Sequence, residues 1–138
     1  MRIMALDYGN KRIGVAISDS LGLTAQGKGY IKNNNFQDVL LEINKYINKF
    51  DIEEIIVGMP FKMNGSKGER VERTQEFINF LKNNLKVNIR AWDERLTSVQ
   101  AEKVLLEADM SREKRKQVID KMAASLILSN YLEARKNK

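Results

Sequence analysis

The 138-residue chain has no cysteine, no histidine and a single proline, Pro60. Without cysteine there are no disulfides, no thiolate nucleophile and no Cys-built zinc site. Without histidine, His-based triads, His general bases and most transition-metal sites are excluded as well. Any catalysis therefore rests on carboxylates, hydroxyls, Lys, Arg, or a hard cation held by oxygen. No apolar run approaches the ~20 residues of a membrane span. The run from Met1 to Leu6 meets Asp7 too early to be the apolar region of a signal peptide. A cytoplasmic protein is the expectation. Repeats, low-complexity tracts and Ser/Gly-rich linkers are missing too, and the length amounts to about one domain, so one domain over 1–138 is expected.

What the chain does have is charge. Lys and Arg total 24 against 18 Asp and Glu, a formal charge of +6, with 43% hydrophobic and 30% charged residues. That is the balance of a soluble globular chain. The basic excess suits a polyanionic partner, and equally an ordinary basic surface.

The apolar pattern predicts an α/β fold. Arg2 to Asp7 is a short continuous apolar run ending in an acid, which suits a strand buried on both faces. Arg12 to Ser18 alternates Ile13, Val15 and Ile17 with Gly14, Ala16 and Ser18, a period-two strand with one bulky and one small face. The turn between the two makes a hairpin, and Leu23 to Ile31 adds a third strand. Asn35 is placed to cap a helix whose stripe is Phe36, Val39, Leu40, Ile43, Ile47 and Phe50. Ile55 to Val57 and Val87 to Trp92 are further strands, separated by a helix with Val71, Phe77, Ile78 and Leu81 inward. Thr97 and Gln100 resemble a capping box for a helix carrying Val104, Leu105 and Ala108. Ser111 caps a last helix whose stripe is Val118, Ile119, Met122, Ala123, Leu126, Ile127 and Tyr131. The order β-β-β-α-β-α-β-α-α implies a mixed five-stranded sheet flanked by helices.

Three acidic positions stand out. Asp7 closes a buried strand, where an acid without a partner is rare and where open α/β sheets border their ligand crevice. A solvated strand end, or a cap for the next turn, would also account for it. Asp93-Glu94 follows the fifth strand in the same way. Adjacent residues point to opposite faces, so at most one of the two shares a site with Asp7, and spacing leaves open which. Asp120 borders the apolar stripe of the last helix, with the small Ala123 and Ala124 three and four residues on. A salt bridge at the edge of the core is the competing explanation. Carboxylates gathered at one point repel and need cations to stay ionised. Mg²⁺ takes oxygen ligands and binds phosphate oxygens, and a pair of such ions supports phosphodiester cleavage with no histidine.

Phosphate-binding candidates lie nearby in sequence. Gly9, Lys11 and Arg12 occupy the turn after Asp7, where glycine permits close backbone approach and the cations add charge. Arg70 and Arg73 follow the polar loop of residues 58–68, and Arg is a good bidentate phosphate ligand. Arg112, Lys114, Arg115 and Lys116 could track a nucleic-acid backbone or form a solvated helix face.

Six segments occur in order: Asp7-Tyr-Gly-Asn-Lys-Arg-Ile-Gly-Val-Ala-Ile-Ser-Asp19, Leu23-Thr-Ala-Gln26, Val57-Gly-Met-Pro60, Met63-Asn-Gly65, Asp93-Glu-Arg-Leu-Thr97 and Ile119-Asp-Lys-Met-Ala-Ala124. With them the chain resembles, over nearly its whole length, the YqgF family, also called RuvX. These proteins are described both as Holliday-junction resolvases and as pre-16S rRNA processing nucleases. The resemblance implies a ribonuclease-H-like fold and an acidic triad at Asp7, Glu94 and Asp120 holding Mg²⁺ or Mn²⁺. Where family members often carry Thr after Asp-x-Gly, this chain has Asn10. The leading expectation is a metal-dependent endonuclease acting on precursor rRNA, with Lys11, Arg12, Arg70 and Arg95 positioning phosphates. Ribosome-assembly factors are possible partners, and the chain is expected as a monomer or homodimer. The alternatives are resolution of branched DNA, which predicts a symmetric dimer, and a non-catalytic RNA-binding module. An actin-like ATPase begins with a similar strand and turn, but it binds nucleotide between two related domains and this chain supplies one.

Overall fold

The computed structural model describes residues 2–59, 68–93 and 112–136, the side chains of 112–122 and 136 excepted. The first strand, β1 (Arg2–Asp7), is buried from Ile3 to Leu6, as a continuous apolar run requires of a central strand. It pairs antiparallel with β2 (Arg12–Ser18), which pairs antiparallel with β3 (Ala25–Lys32). Helix α1 (Phe36–Phe50) then crosses over to β4 (Ile52–Met59), parallel to β1, and α2 (Glu69–Asn84) leads to β5 (Asn88–Asp93), parallel to β4. The long helix α3 (Arg112–Lys136) follows. The strand order β3-β2-β1-β4-β5 is the mixed five-stranded sheet expected, with β1 at its centre. The helix expected from Thr97 lies outside the described residues. No helix among the described residues is long and apolar enough to cross a membrane.

Local chemistry sets several boundaries. The Asn35 side chain accepts from Asp38 N at 2.8 Å and so satisfies one of the open donors of α1. Asp51 ends that helix in the left-handed region, φ 55°, a conformation that short polar side chains tolerate. β3 starts two residues later than its apolar pattern suggests. Asp19 Oδ1 accepts from Leu23 N at 2.7 Å and Thr24 N at 3.0 Å, which holds Leu23 in the hairpin turn and exposes it. These backbone donors, that of Thr24 foremost, hold the Asp19 carboxyl below the usual carboxylate range. β4 begins earlier than expected, because Ile52 and Glu54 pair with Arg2 and Ile3 in spite of the acids at 53 and 54.

The two faces of the sheet differ in kind. On the α1/α2 side, Met4, Leu6, Ile13, Ile17, Ile55 and Val57 pack with Val39, Ile43, Phe77 and Leu81 in a core of large side chains. On the α3 side the sheet offers Ile3, Ala5, Ala16 and Ile56 to Ala124, Ile127, Leu128, Tyr131 and Leu132. The buried stripe of α3 is therefore turned from the expected one: Ala124, Leu128 and Leu132 are buried, whereas Ala123 and Leu126 are only half-buried. A pattern read from large apolar residues misplaces this face, because small residues on the sheet are met by a small residue on the helix.

Candidate active site

Asp7 stands at the carboxyl end of the central strand, half-buried, with the parity of Ile3 and Ala5 and hence on the α3 side of the sheet. Its partner across the antiparallel ladder is Gly14. A Cβ built on Gly14 would lie 3.5 Å from Asp7 Cβ and 3.6 Å from Ala124 Cβ, so Asp7, Gly14 and Ala124 meet at one point. Asp120 occupies α3 four residues, or one helical turn, before Ala124. Its backbone thus lies one turn from the residue that packs beside Asp7, while its side chain is outside the described set.

Further along, α3 is tied to the sheet by Tyr131. The phenol donates to Glu54 Oε1 at 2.7 Å, and Arg90 Nε pairs with the same oxygen at 3.0 Å. Burial, with the Glu54 bond second, pushes the Tyr131 phenol above its ordinary range, so it remains a donor at neutral pH. Trp92 meets Tyr131 edge to face, with centroids 5.3 Å apart. This contact fixes the parity of β5. Trp92 faces α3, whereas Ile89 enters the other core, and Asp93, two residues on from Ala91, belongs with Ile89. Asp93 is therefore on the opposite face of the sheet from Asp7. Glu94 and Arg95 lie outside the described residues. Among the described residues no group of three acids that could hold a metal ion occurs.

The turn after Asp7 is held from three directions. Tyr8 is buried against Phe77, 4.8 Å between centroids, and against Phe36 at 6.4 Å. Asn33, just past β3, donates through Nδ2 to Gly9 O at 2.8 Å and through its backbone N–H to Lys11 O at 2.9 Å. From α2, Arg70 Nη2 reaches Tyr8 O at 3.4 Å, and Arg73 Nη1 donates to Asn10 Oδ1 at 2.8 Å. Gly9 is a requirement of the fold, since a Cβ there would come 2.5 Å from the carbonyl oxygen of Arg12. Lys11 is exposed beside it. Arg12 is exposed too, its guanidinium 5.3 Å from the centre of the Tyr30 ring, a cation–π contact that draws it toward β3. Asp7, Gly9, Lys11 and Arg70 are thus assembled around one turn, with Arg12 at its margin. The sequence alone missed Asn33, and it singled out Asn10 without its partner Arg73. The Asn33-Asn34-Asn35 run signals a helix cap, and nothing local announces that its first member reaches back 24 residues.

With this geometry in view, the comparisons converge. Solved structures similar across most of the chain include the Thermus thermophilus RuvC in complex with Holliday junction substrate, with TM-score 0.57 and 14% identity over 99% of this chain and 96% of that one. The yeast mitochondrial Holliday junction resolvase is similar at TM-score 0.53 and 14% identity over 94% and 77%. At such identity these matches define the fold alone, the ribonuclease-H-like fold of the RuvC-type resolvases. The RuvX family pattern, described as "Holliday junction resolvase", matches residues 1–134, and the chain belongs to that family. A protein of Halothermothrix orenii described as "Putative pre-16S rRNA nuclease" is 58% identical over 132 residues, 96% of this chain and 94% of the relative. One of Clostridium tetani with the same description is 47% identical over the whole of both chains.

Proposed function

We propose that the protein is a divalent-metal-dependent endonuclease that hydrolyses phosphodiester bonds of precursor 16S rRNA. The observation that carries this reading is the meeting of Asp7, Gly14 and Ala124 at the carboxyl end of β1, with Asp120 one helical turn away. Asp7, Glu94 and Asp120 are the residues that would hold Mg²⁺ or Mn²⁺. Asp93 stands on the opposite face of the sheet from Asp7, which counts against Asp93 as the third acid. The donor set fits such an ion, because a chain without His or Cys offers oxygen ligands, which hard cations take. When bound, the metal supplies activation of the attacking water and charge stabilisation on the leaving oxygen. The chain's own part is positional. Asp7 is fixed by the strand ladder, and the turn that follows is braced by Asn33, Arg70 and Arg73, with Lys11 to attract the phosphate backbone.

The test is cleavage of a precursor-rRNA leader fragment alongside a four-way DNA junction, with Mg²⁺, with Mn²⁺ and with chelator. Wild type and Asp7→Asn are run together. Metal-dependent RNA cleavage that falls at least about a hundredfold in Asp7→Asn, with unchanged thermal unfolding, is the expected result. Full activity in the variant would overturn the assignment. The family description favours one other reading, junction resolution, and cutting of the DNA junction alone would select it.

A further inference from the structure

We propose that Asn10 is a phosphate-contacting residue of this site and that Arg73 is its positioning residue. The inference rests on the nuclease reading above for what the phosphate belongs to, but not for its geometry. Asn10 is exposed, three residues beyond Asp7 on the same turn. Arg73 Nη1 donates to its Oδ1 at 2.8 Å, while Nη2 of the same guanidinium donates to Glu69 Oε1 at 2.6 Å. Arginine only donates, so the amide must turn its oxygen to Arg73, and the opposite branch of the side chain is the NH₂ group with its two donors. The Glu69 carboxylate, one turn earlier on α2, holds the guanidinium in turn, so the direction of the amide is set by two bonds, one of them across 63 residues of chain.

This arrangement selects the ligand. With its oxygen committed to a cation, Asn10 is a poor metal ligand, since a metal ion there would face the guanidinium. What remains is a neutral donor pair beside Lys11, and an anionic oxygen is the acceptor that suits such a pair. Other anchors of the turn point the same way: Tyr8 O, Gly9 O and Lys11 O each accept from Arg70 or Asn33, so its oxygens are drawn back into the protein. A phosphate of the substrate strand at the turn after Asp7 is the group that fits. Arg73 changes role accordingly, from a phosphate ligand expected for its charge to a brace that acts through Asn10.

The decisive variant is Asn10→Asp. It keeps an oxygen for Arg73, strengthening that bond into an ion pair, and replaces the donors with negative charge. Binding of a short fluorescein-labelled single-stranded RNA is measured by anisotropy with chelator present, so no result depends on metal or turnover. The expected result is RNA binding weakened about tenfold, a change of ~1.4 kcal/mol, with a melting temperature no lower than wild type. Asn10→Ala and Arg73→Ala each weaken binding, and the double variant is no worse than the poorer single one, because Arg73 acts through Asn10. If Asn10→Asp binds RNA as wild type does, the contact is only structural and the proposal fails. Additive losses in the cycle would make Arg73 an independent ligand and overturn its positioning role. Wild-type protein that does not bind the RNA would also overturn it, whereas intact binding with no cleavage would count against the nuclease reading alone.

Discussion

The two faces of the sheet are built from different materials. The α1/α2 face is filled with Met4, Leu6, Ile13, Val15, Ile17 and Val57 against Val39, Ile43, Phe77 and Leu81. The α3 face meets its helix through Ala5, Gly14, Ala16 and Gly27, opposite Ala124 and Ser125. Burying a large aliphatic or aromatic side chain is worth about 1.5–3 kcal/mol, so the first face supplies most of the stability. The second supplies closeness. At Gly14 and Gly27, small residues on both sides let α3 lie close against the sheet, near the strand end that bears Asp7. One face holds the protein together, and the other brings α3 close to the strand end that bears Asp7.

Ile43→Ala, in the large-residue face, should give the largest loss of stability. Ile43 is fully buried, so the cavity should cost about 2–5 kcal/mol by denaturant unfolding. Cleavage per folded molecule should stay within twofold of wild type. A folded Ile43→Ala protein with lost specific activity would break the division between the faces.

Ala124→Leu is the converse. Overpacking there should cost about 1–3 kcal/mol, less than the cavity in the other face, yet specific cleavage should fall by at least about tenfold, because the helix must rise from Gly14 and carry its preceding turn with it. Equal activity in wild type and Ala124→Leu would show that closeness to the sheet is not what the site needs.

The smallest effect is expected for Gly14→Ala. The new Cβ would stand at ordinary contact distances, 3.5 Å and 3.6 Å, from its two neighbours. Stability should therefore move by no more than about 1 kcal/mol, the strand gaining what glycine loses in chain entropy. A large destabilisation would mean that the helix approaches more tightly than these distances imply.

Much of this was legible in the chain itself. The run ending at Asp7, the alternation of β2, the Asn35 cap and the stripe of α1 are local patterns, set by side-chain period and short-range hydrogen bonds, and the structure reproduces their bounds. The lack of His and Cys confined the chemistry to oxygen ligands and cations before any fold was known. Other features belong to the tertiary structure. That Asp93 stands on the opposite face of the sheet from Asp7 follows from the side of β5 that Trp92 takes, and that depends on Tyr131 nearly forty residues on. The buried face of α3 depended on Gly14 and Gly27 in strands more than a hundred and nearly a hundred residues away, respectively. The bracing of the turn by Asn33, Arg70 and Arg73 joins segments with no pattern in common. Periodicity reports which residues of one element share a face. Which element that face will meet is decided only when the chain closes on itself, and in this protein the bracing of the turn after Asp7 and the approach of α3 to the sheet are set at that step.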